Sequence, residues 1–202
     1  MITEDVVRRL ADRRPRVVVL GDAILDGWLS GRSDRLSPEA PVPVVQVTGS
    51  CHVPGGAANT AVNLAALGAD VRLVSVVGDD RAGVTLLSEL AARGVDPGPV
   101  VVAAGRRTIT KRRVVVGDQI MLRVDEGTDT PLPPPVTERL LATLRVEAAS
   151  CDAVLVCDYR TGVLGPEVVA ELRRLRPSLP LLAVDAHALG TWCPVRPDVV
   201  TP

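Results

Sequence analysis

Four acids stand at comparable places in this 202-residue chain. Asp22, Asp79, Asp158 and Asp185 follow short β-branched or aliphatic runs, Arg16–Leu20, Val71–Val77, Ala153–Cys157 and Leu181–Val184. Carboxylates accept hydrogen bonds from hydroxyls and ligate divalent cations, so four on one sheet edge suit a polyol, with metal as a second option. Taken singly, each is equally a turn residue or a helix N-cap. Pro54-Gly55-Gly56-Ala57-Ala58-Asn59 is the strongest local signal. A glycine pair before a helix lets the backbone approach a ligand and turns free N–H groups toward it. Asn59 both donates and accepts, as vicinal hydroxyls require, and it shares a helix face with Asn63. A plain turn with an Asn near the helix start accounts for the same residues. Lys111 is the one lysine among 23 basic residues. In a chain that otherwise writes arginine, it marks a place for a compact ammonium charge.

The elements that must position these groups alternate. Between the strand-like runs lie helical patterns, the first with Ala58, Ala61, Val62 and Ala65 on one face, the others over Arg81–Arg93, Val136–Ala149 and Pro166–Arg176. A short amphipathic helix over residues 3–13 precedes them. Strand–helix alternation predicts one α/β domain with a doubly wound, mainly parallel sheet. In such sheets ligands sit at the carboxyl ends of the strands. Two segments break the rhythm. Ser37–Thr48 is extended and proline-bearing, as an edge strand tolerates. Thr108–Val116 and Gln119–Val124, joined at Gly117-Asp118, read as a hairpin. Together, residues 37–48 and 108–124 predict a small projecting β lid, and Thr128–Pro135 a stiff linker back to the core. Edge strands in that lid can pair between subunits, which suggests a homodimer.

Composition narrows the function. Hydrophobic residues make up 47%, with two Trp, one Tyr and no Phe, so the core is built from Val, Leu and Ala, the palette of strands buried on both faces. A net charge of −1 with interspersed signs gives no nucleic-acid footprint, and the scarcity of aromatics removes base-stacking platforms. No apolar run reaches membrane-span length, and the charged N-terminus lacks a secretory h-region, so a cytoplasmic setting is expected. Cys51, Cys151, Cys157 and Cys193 lack zinc-ligand spacing and are expected to be buried, reduced thiols.

GGAANTAVNLAALGADVRLVSVVGDDRAG, beginning at Gly55, resembles the N-terminal signature of the ribokinase-like (PfkB) sugar kinases. The likeness extends upstream through VVVLGDAILD and covers nearly the whole chain. GDAILD, RLSPEAPVPVV, TITKRRV and VCDYRTG are most similar to the D-glycero-D-manno-heptose 7-phosphate kinase group. The resemblance implies a ribokinase-like fold and phosphorylation of a sugar or sugar phosphate by ATP with Mg²⁺. It makes Asp26 a ligand for sugar hydroxyls, lines the same pocket with Gly55, Gly56 and Asn59, and gives Lys111 the substrate phosphate. Asp158 falls at an acidic or amide contact to the sugar, with Arg123 and Asp125 as weaker contacts, and Asp185 lies near the nucleotide phosphates and metal. The sequence departs from the group at Asp185-Ala186-His187, where Asp-Pro-Lys is common, and at Arg160-Thr161-Gly162, where Ala-Lys-Gly is common. It ends at Thr201-Pro202, before the family's Asn-x-x-Glu metal motif and the Gly-x-Gly-Asp that carries the general base and anion hole. The expectation is a domain incomplete at its C-terminus, with the sugar half of the site present, no catalytic residue, and ATP and Mg²⁺ poorly held. A non-catalytic sugar-binding or partner-dependent subunit, or a fragment without activity, is the alternative.

Overall fold

A computed structural model describes residues 8, 9 and 12–201; the helix expected over 3–13 falls largely outside them. The chain forms a five-stranded parallel sheet in the order β11-β10-β9-β1-β4. Its strands are β1 (Arg16–Gly21), β4 (Asp70–Val74), β9 (Ala153–Asp158), β10 (Leu182–Ala186) and β11 (Val199–Thr201). β1 shows why the fold is doubly wound. Val18 and Leu20 enter one core with Leu140 and Leu144 of α3 (Pro134–Ala148) and Val168 and Leu172 of α4 (Pro166–Leu175). Val17 and Val19 enter the other, against Ala57, Ala58 and Ala61 of α1 (Ala57–Ala66) and Leu86 and Leu90 of α2 (Arg81–Ala92). A strand covered on both faces has no polar side to show, hence its unbroken apolar run. The alanine face of α1 brings that helix close to the sheet, at the strand ends where Gly55 and Asn59 lie.

The run Val71–Val77 is two strands rather than one. β4 pairs with β1, whereas β5 (Val76–Gly78) pairs with β6 (Val101–Ala103), a strand too short to leave a periodic signal. Ser75 makes the break. It is fully buried, donates its hydroxyl to the Gly21 carbonyl (2.6 Å) and accepts from the Ala23 N–H (3.2 Å). It thereby takes up backbone groups where the chain turns from sheet to lid.

The lid is larger than expected. Its four strands run β3-β2-β7-β8, with β2 (Ala23–Leu36), β3 (Pro43–Gly56), β7 (Thr110–Val116) and β8 (Gln119–Glu126). Residues 37–42 form the connection, closed by Ser37 N–H to the Val42 carbonyl at 2.8 Å, so only the latter part of the expected 37–48 segment is strand. The sequence GWLSGRSDRL within β2 is poor in strand formers and is held by its neighbours, antiparallel to β3 and parallel to β7. The proline-bearing β3 is indeed an edge strand, and the expected hairpin turns at Gly117 with φ +58°.

Cys151 and Cys157 are buried, but Cys51 and Cys193 are exposed, correcting the expectation of four buried thiols. Burial pushes the Cys157 thiol up to about 11, so it stays protonated at neutral pH. The contact between α3 and α4 centres on Glu171, a buried carboxylate that accepts from Arg145 (2.9 and 3.0 Å) and from Arg174. These hydrogen bonds lower its pKa from 4.5 to about 2. A carboxyl depressed on folding stabilises fully above its unfolded value and loses that contribution as pH falls through its folded one. Acid titration between pH 4.5 and 2 should therefore destabilise the wild type more than Glu171→Gln, as read by thermal unfolding. Parallel curves would contradict the assignment.

Candidate functional site

Strand register assembles one face of the lid. Asp26 lies beside Lys111 across β2 and β7, and Lys111 beside Asp125 across β7 and β8. Two residues on, Trp28, Arg113 and Arg123 form the next row. Because side chains alternate along a strand, these six residues share a face. Arg113 Nη1 donates to Asp26 Oδ1 at 2.8 Å, and its guanidinium sits 5.0 Å from the Trp28 ring centroid. Lys111 Nζ donates to Asp125 Oδ2 at 3.1 Å, and Arg123 binds both Asp125 oxygens at 2.7 and 2.9 Å. The Arg123 fork, aided by Lys111, holds the Asp125 carboxyl below its ordinary value. Three cations against two carboxylates leave an excess positive charge beside a carboxylate, a combination able to bind both an anion and hydroxyls. Arg113 and Trp28 were not among the sequence-selected residues. The signal available was spacing: Lys111 and Arg113 are two apart on a strand and so project together.

The glycine pair serves geometry first. A Cβ on Gly55 would lie 2.3 Å from Asp26 Oδ2, so the absence of a side chain leaves Asp26 its position. Gly56 caps α1 at φ +56°, ψ −135°, and a Cβ there would meet the Asp22 carbonyl at 2.4 Å. That carbonyl accepts from Ala57 N–H at 2.9 Å. No side chain caps α1, and Asn59 is exposed in its first turn.

The four strand-end acids do not form one cluster of free carboxylates. Asp22 is fully buried and accepts from the N–H groups of Tyr159 (2.9 Å), Thr161 (3.3 Å) and Val163 (3.2 Å). Burial raises its pKa against the pull of those bonds. Asp79 is exposed, and its neighbour Asp80 caps α2 through Gly83 N–H (2.8 Å) while binding Thr108. Asp158 accepts from the indole N–H of buried Trp192 (3.0 Å) and from Arg160 N–H (3.0 Å). Asp185 meets the hydroxyls of Thr201 (3.2 Å) and Tyr159 (3.5 Å). Two of the four, Asp158 and Asp185, thus lie on adjacent strands joined in register and share the β9–α4 loop. A cleft of about 610 Å³ opens instead on the opposite face of the lid, and none of the sequence-selected residues lines it.

The profile of the pfkB family carbohydrate kinases matches residues 14–146, well over half of the sequence. The chain belongs to this family. Among its pfkB relatives, the bifunctional protein HldE of Trichlorobacter lovleyi is 41% identical over 169 residues, which are 83% of this chain and 34% of that protein. HldE of Acidiphilium cryptum is 37% identical over 198 residues, 97% of this chain and 40% of the relative. The chain therefore spans well under half the length of these relatives. In structure it resembles ribokinase from Cryptococcus neoformans var. grubii serotype A in complex with ADP, with a TM-score of 0.60 at 21% identity. That match covers 87% of this chain and 50% of the other. Arabidopsis thaliana ribokinase complexed with ribose and ATP gives 0.61 at 16% identity, covering 86% and 54%. The ribokinase-like α/β fold read from the sequence is thus the fold of this chain.

pfkB kinases in general use ATP and Mg²⁺. Among the described residues, no three His, Cys, Asp or Glu side chains converge as a metal site. Asp185 is a single carboxylate already engaged by two hydroxyls, so the described residues do not by themselves fit a magnesium nucleotide. Nor, among them, is any helix long and apolar enough to cross a membrane.

Proposed function

We propose that this chain provides the acceptor-binding part of an ATP-dependent sugar kinase, and that the acceptor is a sugar phosphate, first of all a heptose 7-phosphate. The observation that carries the reading is the lid face on which Asp26 stands beside Lys111, Arg113, Arg123 and Asp125. Asp26 accepts hydroxyl hydrogens of the sugar, Lys111 and the arginines hold its phosphate, and Asn59 with Asp158 meets the remaining hydroxyls from the sheet edge. Family membership and the HldE relatives support a carbohydrate substrate. In such a kinase ATP would supply the phosphoryl group and Mg²⁺ would neutralise its charge. This chain's own residues bind and orient the acceptor and shield it from water beneath the lid. A cytoplasmic setting agrees with four unpaired cysteines, and the exposed lid residues Val47, Leu122 and Val124 are what a second copy would cover in a homodimer.

Lys111→Ala separates the two halves of the acceptor. A lost charge-assisted bond to phosphate, about 1.5–3 kcal/mol, corresponds to roughly tenfold or more in affinity. By calorimetry Lys111→Ala should weaken a sugar phosphate by that factor and leave the unphosphorylated sugar within about twofold. Equal losses for both ligands would remove the phosphate role.

A further inference from the structure

The reverse face of the lid presents a second constellation. The 610 Å³ cleft lies between that face and the first turns of α2, with Leu25 and Leu29 on its lid side and Ala82 and Thr85 on its helix side. Its size falls within the range of about 300–1,000 Å³ usual for small-molecule sites. Arg81, Arg107 and Arg112 line it against two carboxylates, Asp80 and Glu126. Those carboxylates are committed. Asp80 is spent on Gly83 N–H and Thr108, and Glu126 on Arg112, with Arg107 no nearer than 3.5 Å. Arg81 has no ion-pair partner among the described residues, and the Arg107 side chain is 68% exposed. Thr110 also lines the cleft, and its Oγ1 is buried without a hydrogen-bond partner.

We propose that this cleft is a second ligand site, distinct from the Asp26 face, that takes a small organic phosphate. Arg81 has no ion-pair partner among the described residues, and Arg107, paired at 3.5 Å with a carboxylate that Arg112 already engages, can turn to the phosphate, for which the guanidinium fork is well matched. Leu25 and Leu29 receive an apolar body. Because its walls come from both lid and α2, an occupant bridges the two and holds the lid at one angle to the core. The site goes beyond the acceptor reading, since it shares no residue with the Asp26 cluster.

Calorimetry of the 202-residue chain with phenyl phosphate, which offers a phosphate and an apolar ring but no sugar hydroxyls, tests it. Saturable binding is expected, and on a Lys111→Ala background it should be weakened about tenfold or more by Arg81→Ala/Arg107→Ala. Inorganic phosphate should bind more weakly than phenyl phosphate. Binding of phenyl phosphate should persist in Lys111→Ala, where the acceptor face has lost its phosphate contact, whether or not the acceptor reading is right. Should the double arginine variant fail to fold, Thr85→Trp, which fills the cleft from the helix side, should abolish binding instead. No saturable binding, or binding lost in Lys111→Ala and retained in the arginine and tryptophan variants, would overturn the proposal.

Discussion

Asp22→Ala is expected to lower the unfolding free energy by about 3–5 kcal/mol, the usual consequence of removing one member of a buried charged network. In a domain of this size that is a fall in melting temperature of roughly 10 °C. Three backbone N–H groups, from Tyr159, Thr161 and Val163, would lose their common acceptor. The buried Arg106 guanidinium, which donates to the Thr130 and Thr161 carbonyls at 3.1 and 2.9 Å, would lose the nearby charge that favours its ionised form. The β9–α4 loop is therefore tied to the end of β1 through one carboxylate, and Arg106 joins the linker at Thr130 to that loop at Thr161. Asp22→Asn keeps a carbonyl acceptor and should cost less, about 1–3 kcal/mol. The pH dependence has a definite sign. Burial raises the native pKa of Asp22 above 3.8, so its contribution is full below that value and declines as pH rises through the native pKa. The gap between wild type and Asp22→Asn should accordingly narrow on going from acid to neutral pH. An alanine variant within about 1 kcal/mol of wild type in urea unfolding would show that the loop is held by other means.

Asp22 also shows where reading residues in a row reaches its limit. Its position at the end of a strand was legible, because a hydrophobic run ending in Gly-Asp is a local pattern. Whether the carboxylate faces a ligand or the interior depends on a loop more than 130 residues later in the chain, and no local pattern encodes that. The same division holds for the lid. The hairpin expected over Thr108–Val116 and Gln119–Val124, and found as Thr110–Val116 and Gln119–Glu126, was legible from β-branched residues around a Gly-Asp turn. The Ala23–Leu36 strand was not, because its polar, glycine-containing sequence becomes a strand only between two partners from distant parts of the chain. Asp26 and Asp125 were selected from the family resemblance and Lys111 first as the one lysine of the chain, and the register shows why they belong together. Arg113, which binds Asp26 and stacks on Trp28, needed the register to be seen at all.

Asp26→Ala should reduce affinity for sugar phosphate and unphosphorylated sugar alike, by about 100-fold, the upper range for a hydrogen bond to a charged group. The loss exceeds that of a single contact because Arg113 is left without its carboxylate in a partly enclosed site; the Asp26 side chain is only 20% exposed. The equal effect on both ligands sets it apart from Lys111→Ala, which should discriminate between them. Gly55→Ala offers an independent route to the same result. It leaves the carboxylate in the sequence but places a Cβ 2.3 Å from Asp26 Oδ2, so the carboxylate must move. If Asp26 acts through its position, Gly55→Ala should approach Asp26→Ala in lost affinity while circular dichroism remains that of the folded chain. Trp28 gives a second readout. Its ring lies against the guanidinium that Asp26 holds, so a sugar that engages Asp26 should alter the surroundings of Trp28 and change its fluorescence. Trp192, the other tryptophan, is buried on Asp158 and can be replaced by Phe to isolate the signal. Full affinity in Gly55→Ala, or binding without a change at Trp28, would mean that the sugar does not lie on this face of the lid.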